Sequence, residues 1–411
     1  MSEIGRIGIY GIGVIGPQVS GIEAFRERIR SGVPATAPVR SFETAGLSAS
    51  TAGLVTDFQP KKFIAPMKLR RMSRLSRLGA AAAIMAVRDG GVDPLPLSGP
   101  EVGVALGTAF GTIQVSVEYL EEYVEKGAAL APPQLFAESV ANAPASHIAI
   151  AGGYEGFNLT FTQRESSVLT ALMFASAQIA KGATRAALVG GVDETNEMIF
   201  SILDRIGALA HSNGSDEEAS RPFDARRNGM VVGEGSSAFL LAGEGALPDA
   251  REPYAWISGF GTSRDASASL SDWGNDPAAV VRSMRRAIVD AELEPGDIDG
   301  IIASANSTIR GDRLEYLAIQ QLFGKGAPPV AAPKSYFGEY ACGGGATLAT
   351  ALVALREQEL PATPGFEVAP SDLTIPVTRE STRREMRHLL VNSLSAGGGV
   401  VCAVISRGVD E

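Results

Sequence analysis

Glu165, Ser166 and Ser167 stand side by side where a polar turn runs into an apolar stretch, Ser166 to Ala180, whose spacing predicts a helix. A carboxylate at a helix start meets unpaired backbone N–H groups and the positive end of the helix dipole, so its charge is tolerated there. Carboxylates are competent proton-transfer groups. A serine in the same place needs a base before it can act as a nucleophile, and histidine is scarce: the chain has three, His147, His211 and His388. His147, in the apolar helix-like stretch Ala143-Pro-Ala-Ser-His, reads as a structural histidine with its ring satisfied. His211 and His388 sit in polar surroundings and read as surface residues. No spacing of candidate ligands suggests a metal site. Gly11-Ile-Gly-Val-Ile-Gly fits the dinucleotide pattern Gly-x-Gly-x-x-Gly. Yet Pro17-Gln-Val-Ser-Gly does not open a clean helix, and no acidic residue stands where the ribose partner belongs. The glycines read instead as a turn that allows close backbone packing.

The elements that must hold these residues fall into two similar halves. Arg6-Ile-Gly-Ile-Tyr-Gly-Ile-Gly is echoed by Ala255-Trp-Ile-Ser-Gly-Phe-Gly, each a short apolar strand ending in glycines. Helical periodicity follows at Arg71 to Asp89 and again at Pro277 to Glu292. Val102-Gly-Val-Ala-Leu-Gly-Thr and Ile298-Asp-Gly-Ile-Ile-Ala-Ser come next, apolar enough for strands buried on both faces. The strand-like Ala186-Ala-Leu-Val-Gly-Gly-Val succeeds the helix that begins beside Glu165. Strand–helix–strand order implies an α/β protein with parallel pairing and right-handed crossovers. The seam falls in Gly243-Glu-Gly-Ala-Leu-Pro, giving halves 1–247 and 248–411.

With 411 residues, 45% of them hydrophobic and 20% charged, the composition is that of a globular protein able to bury a large core. A net charge of −10 argues against general nucleic-acid binding. No apolar run reaches the roughly 20 residues of a membrane helix, and the N-terminus lacks the pattern of a signal peptide. Two cysteines, Cys342 and Cys402, offer no disulfide framework and suit a cytoplasmic setting. One basic run, Lys61 to Arg77, interrupts the acidic chain.

Five motifs resemble those of the β-ketoacyl-acyl-carrier-protein synthases. Thr162-Gln-Arg-Glu-Ser-Ser-Val-Leu, with Lys181-Gly182 and Gly190-Gly191 behind it, resembles the nucleophile elbow of that family, where a cysteine opens the helix; counting back from the glycines puts Glu165 on the cysteine position. Arg221-Pro-Phe-Asp-Ala-Arg-Arg-Asn-Gly-Met-Val-Val-Gly-Glu-Gly is similar to the Arg-Pro-Phe-Asp…Gly-Glu/Asp-Gly signature. Ala303-Ser-Ala-Asn-Ser-Thr-Ile-Arg-Gly-Asp is similar to Ala-His-Gly-Thr-Ser-Thr-x-x-Gly-Asp, which places Ser304 on the first catalytic histidine. Pro333-Lys-Ser-Tyr-Phe-Gly-Glu is similar to Lys-Ser-x-x-Gly-His, so Lys334 is retained and Glu339 replaces the second histidine. Asn392-Ser-Leu-Ser-Ala-Gly-Gly-Gly resembles the glycine loop near the nucleophile, which assigns Gly397, Gly398 and Gly399 to the oxyanion side.

The resemblance implies the thiolase fold: two pseudo-duplicated halves, each with a mixed sheet, layered α-β-α-β-α, and no cofactor. It also implies lost chemistry. A family member uses the cysteine to take the acyl chain and the histidines to decarboxylate the malonyl donor; here all three positions are changed. Of the family's members the chain is most like a chain-length factor, the non-catalytic β subunit of a type II polyketide ketosynthase, in which glutamine commonly takes the cysteine position. An intact α subunit would supply the catalytic set in a heterodimer. Acyl-carrier protein would deliver a growing polyketide or polyene chain, and Thr112, Val115, Tyr119 and Met230 would line its tunnel. Lys61, Lys62, Lys68, Arg70, Arg71 and Arg74 offer a docking face for acidic carrier protein, unless the arginines pair with local acids. Lys334 is expected beside Glu165 or Glu339, either in a salt-bridged plug or in a residual acid/base site. The alternative function is decarboxylation of malonyl-carrier protein by Glu165, Lys334 and Glu339.

Overall fold

The computed structural model describes residues 5–214, 216–269, 272–339 and 344–408; Cys342 lies outside them. Its framework is a mixed sheet of eleven strands in which one five-strand plan occurs twice. The first copy contains β1 (Ile7–Gly16), β2 (Val102–Gly107), β3 (Asn158–Phe161), β4 (Ala186–Asp193) and β5 (Gly235–Gly243). They lie in the order β1-β5-β4-β2-β3, two antiparallel contacts followed by two parallel ones. The second copy contains β6 (Ala255–Arg264), β7 (Gly300–Ile302), β8 (Val330–Ala331), β9 (His388–Leu394) and β10 (Gly399–Ser406). Its order, β6-β10-β9-β7-β8, repeats the same directions. Antiparallel pairing of Ile7–Ile9 with Ala255–Ile257 joins the copies into one sheet, and the short strand Val19–Ser20 folds back on β1.

Alternation along the strands sends successive side chains to opposite faces. In β4, Ala186 and Leu188 join Leu78, Ala82 and Met85 of helix α1 (Arg74–Asp89). Ala187 and Val189 enter a central core with Leu169 and Leu172 of α4 (Ser167–Ala180) and Leu348 and Leu352 of α9 (Gly344–Glu357). The second copy does likewise. Leu390 and Val404 meet Val280 and Met284 of α6 (Pro277–Asp290), while Leu389, Val391 and Ile405 share the central core. The result is the α-β-α-β-α layering, with α4 and α9 sandwiched in the middle.

The glycine pattern at the N-terminus lies within strand β1 rather than in the expected turn, and it is a packing device. A Cβ on Gly11 or Gly13 would lie 2.0 and 1.9 Å from the carbonyl oxygens of Ala86 and Ala82 in α1. Only glycine lets the strand and helix approach so closely. Gly259 and Gly261 of β6 stand in the same relation to Ala287 and Ser283 of α6, at 2.5 and 1.9 Å. The last residue of each helix completes the match: Asp89 accepts from the Ile12 N–H and Asp290 from the Phe260 N–H, both at 2.8 Å. The two halves therefore repeat one strand–helix clasp down to single hydrogen bonds.

Several element boundaries differ from the sequence expectation. Helix α1 begins at Arg74 rather than Arg71, because the Ser73 side chain accepts from the Ser76 N–H and caps it there. Helix α6 stops at Asp290, two residues early, and Glu292 takes a left-handed φ of 58°. The strand expected from Ile298 begins at Gly300, because Pro295–Asp297 forms a single 3-10 turn just before it.

Candidate functional site

Between β3 and α4 the chain turns sharply, and Arg164 is held at a φ of 52°, a left-handed conformation that a residue with a Cβ rarely adopts. The turn presents Glu165 at the head of α4, whose first turn lies so close to β2 that a Cβ on Gly107 would meet Ser167 Cβ at 2.8 Å. The loop after β9 closes over this point. Ser393 Oγ donates to the Glu165 carbonyl at 2.7 Å, and the Ala396 N–H donates to Glu165 Oε2 at 3.2 Å. Ser166 Oγ lies 3.2 Å from Ser395 Oγ. Glu165 is 9% exposed. Burial, and then the charge of Glu339, push its pKa up to about 7, against the pull of Lys334 and Arg164.

Lys334 opens the one-turn helix α8 (Lys334–Phe337) and is 1% exposed. Its Nζ donates to Glu339 Oε2 at 2.8 Å, and Asn306 Nδ2 donates to the same oxygen at 2.8 Å. Glu339 is itself 7% exposed, and its Oε1 has no hydrogen-bond partner. Of the two acids open to Lys334, the ion pair forms with Glu339. Gly338, at a φ of 74°, turns the chain so that a residue only five positions on faces the ammonium. Ser304 points elsewhere. Its Oγ accepts from the Leu394 N–H at 2.9 Å, and its own N–H donates to Glu315 Oε1 at 2.9 Å, so it ties the end of β7 to the end of β9.

The Arg-Pro-Phe-Asp motif of the first half clamps the second. Arg221 N–H donates to Ser307 Oγ at 2.9 Å; Phe223, at a left-handed φ of 63°, donates its N–H to Asp312 Oδ2 at 2.8 Å. Asp312, in α7 (Ile309–Phe323), also receives the Asn306 N–H, and burial raises its pKa to about 6. In the same helix, Glu315 receives Asn392 Nδ2 at 3.0 Å and is raised by burial to about 7. Ala396, Asn306, Asp312 and Glu315 were not singled out from the sequence. Asn306 and Asp312 lie inside the Ala-Ser-Ala-Asn…Gly-Asp motif and Ala396 inside the glycine-loop motif, the signals that could have found them.

The remaining candidates divide. The Gly397 N–H bonds the Asp272 carbonyl and the Gly398 N–H the Ser395 carbonyl, so neither amide faces Glu165; Gly399 sits beside Ser395. Ala396 supplies the amide that does. Thr112 precedes α2 (Ile113–Lys126) and donates its hydroxyl to the Ser139 carbonyl at 2.6 Å; Val115 is buried one turn on. Met230 shares an apolar cluster with Phe110 and Ile113 at the start of α2, and Asn306 Nδ2 lies 3.8 Å from its sulfur. Tyr119 stands apart, in contact with the rings of Tyr123 and Phe136.

Lys61, Lys62, Lys68, Arg70 and Arg71 are exposed and form no ion pair among the described residues. Arg74 is different: its guanidinium bonds Glu234 Oε1 at 2.5 Å and the Val55 carbonyl at 2.8 Å. Glu234 is buried and needs a cation, so Arg74 is a structural partner rather than part of a free basic face. His147 is satisfied as expected, its Nε2 2.5 Å from Glu138 Oε1. Burial opposes ionisation of Glu138, but His147 and the Ser73 N–H outweigh it and hold the carboxyl at about 2. His211 is exposed, whereas His388 is half-buried with Nδ1 2.8 Å from Ser406 Oγ, so it is not a free surface residue.

Comparison with known proteins gives this geometry its class. Residues 5–245 match the family model Beta-ketoacyl synthase, N-terminal domain, and residues 254–367 match Beta-ketoacyl synthase, C-terminal domain; the chain belongs to the β-ketoacyl synthase family. It is 26% identical over 400 residues to the 3-oxoacyl-[acyl-carrier-protein] synthase 2 of Vibrio harveyi, covering 96% of each chain. Within the family it is also similar to type II polyketide proteins. It is 27% identical over 414 residues to the tetracenomycin polyketide synthase ketoacyl synthase beta subunit of Streptomyces glaucescens, covering 99% of this chain and 100% of that one. The solved ishigamide ketosynthase/chain length factor shares its fold at a TM-score of 0.89 and 26% identity, over 99% of this chain and 100% of that one.

Proposed function

We propose that this chain is a chain-length factor: a non-catalytic subunit that pairs with an intact ketosynthase and shapes the tunnel for a polyketide or polyene chain carried on acyl-carrier protein. The observation that carries the reading is Glu165 itself. Its carboxylate, not a thiolate, occupies the head of α4 and takes the Ala396 N–H, a donor that could otherwise stabilise an acyl oxyanion. Passing an acyl group from a thioester to a carboxylate would give a mixed anhydride, which runs uphill. The other two altered positions are engaged as well, Ser304 with Leu394 and Glu339 with Lys334.

Two surfaces support the partnership. β3 is the last strand on its side of the sheet, with Asn158 and Leu159 exposed, which leaves a free edge for another subunit. The five unpaired basic residues between Lys61 and Arg71 suit the acidic carrier proteins that such complexes use. Malonyl decarboxylation, the second reading, needs free donors to stabilise the enolate oxygen that forms as CO2 leaves, and Lys334 and Ser304 are already engaged with Glu339 and Leu394.

Intact-protein mass spectrometry after incubation with acyl-carrier protein tests the proposal. The chain alone should stay unmodified, and in the reconstituted pair the acyl group should appear only on the ketosynthase. An acyl adduct at Glu165, Ser166 or Ser167 would overturn it.

A further inference from the structure

Helix α2 is held to its own chain by little. Of its fourteen residues only Val115 is buried, and an isolated helix of that length is marginal in water, since packing supplies most helical stability. Its outward surface is both apolar and acidic. Leu120 and Val124 are 56% and 80% exposed, and Phe136, itself exposed, extends that surface from Tyr119. Beside them runs a row of four glutamates, Glu118, Glu121, Glu122 and Glu125, at i, i+3, i+4 and i+7. Glu118 accepts from Gln114 and Glu122 pairs with Lys126, while Glu121 and Glu125 form no ion pair among the described residues. The spacing sets Glu118 against Glu122 and Glu121 against Glu125, like-charge pairs that weaken a helix left uncovered.

We propose that α2 is covered by a related subunit presenting a basic surface, and that the glutamate row rejects a second copy of this chain. The inference rests on the reading of this chain as one half of a heterodimer, and adds what selects the other half. In a two-fold dimer of identical chains the same patch lies on both sides, so both glutamate rows would be buried in one interface while apolar neighbours strip away water. Like charges brought together in this way suppress wrong partners. A subunit of the same fold with lysine or arginine at the facing positions turns the same row into an attraction.

The test uses the full chain and its Glu121→Lys/Glu122→Lys/Glu125→Lys variant as the basic probe, measured by analytical ultracentrifugation. At low salt the unmodified chain should sediment as a 42.7 kDa monomer. A one-to-one mixture with the variant should dimerise with a dissociation constant roughly 100-fold or more below that for self-association of the unmodified chain. Raising salt should weaken the mixed pair and strengthen self-association, because screening acts on both with opposite sign. Glu121→Gln/Glu125→Gln, which removes charge without reversing it, should raise self-association above that of the unmodified chain. A tight, salt-insensitive homodimer of the unmodified chain would overturn the inference, as would a mixed pair no tighter than that homodimer. Neither result alters acyl loading, the separate readout that tests the function proposed above.

Discussion

Replacing Glu165 by glutamine should make the protein more stable at alkaline pH and change how its stability varies with pH. In the folded protein burial and Glu339 raise the Glu165 pKa from 4.5 to about 7, so the native state holds this proton more tightly than the unfolded chain. Stability from the neutral acid is therefore present below pH 4.5 and is lost as pH rises through 7. The gap corresponds to about 3 kcal/mol in full, of which about 2 kcal/mol falls between pH 5.5 and 8.5. Glutamine carries no such term, and its amide oxygen can still accept from the Ala396 N–H. Glu194 and Glu315, also raised to about 7 by burial, act with the same sign in both proteins and cancel in the difference. Urea unfolding of both proteins across that pH range is the assay, and the variant should gain about 2 kcal/mol on the unmodified chain from pH 5.5 to 8.5. A difference that stays flat with pH, or falls as pH rises, would refute the assignment of Glu165 as a buried acid whose pKa is raised by its surroundings.

Lys334→Met should destabilise by about 3–5 kcal/mol, because it leaves the Glu339 carboxylate buried without its cation; adding Glu339→Gln should recover most of the loss in the same unfolding assay. Glu165→Cys alone should not restore condensation, since catalytic groups act as a unit and Ser304 and Glu339 remain; malonyl-dependent elongation by the single variant would contradict this. Lys61→Glu/Lys68→Glu/Arg71→Glu should weaken carrier-protein binding in a salt-dependent way without lowering the melting temperature, whereas Arg74→Ala should lower the melting temperature by exposing Glu234 to an unpaired burial.

Much of the fold was legible because its signals are local. Period-two and period-3.6 patterns marked the strands and helices, and the glycines of β1 were read as close packing rather than a nucleotide loop; Ala82 and Ala86 show what they pack against. The joining of the halves through Ile7–Ile9 and Ala255–Ile257 was not legible, because antiparallel pairing between residues some 250 apart leaves no trace in either strand's own pattern. The site divides in the same way. Motif order located Glu165, Ser304, Lys334 and Glu339, but whether Lys334 chose Glu165 or Glu339 depended on the turn at Gly338. Ala396 was invisible because it acts through its backbone N–H, which its side chain does not advertise. Arg74 looked like its basic neighbours until Glu234, 160 residues away, was seen beneath it.

Product profiling of the reconstituted ketosynthase pair with its carrier protein tests chain-length control most directly. Thr112 is buried at the start of α2, with its hydroxyl on the Ser139 carbonyl; in the proposed reading it lines the tunnel, so that Thr112→Trp would move the wall inward, and overpacking such a site costs ~1–3 kcal/mol. With ~1.4 kcal/mol per factor of ten, that is enough to redirect the product distribution. Thr112→Trp should shorten the products with little change in total turnover. An unchanged distribution of chain lengths from this variant, in a pair that assembles and turns over normally, would contradict the assignment.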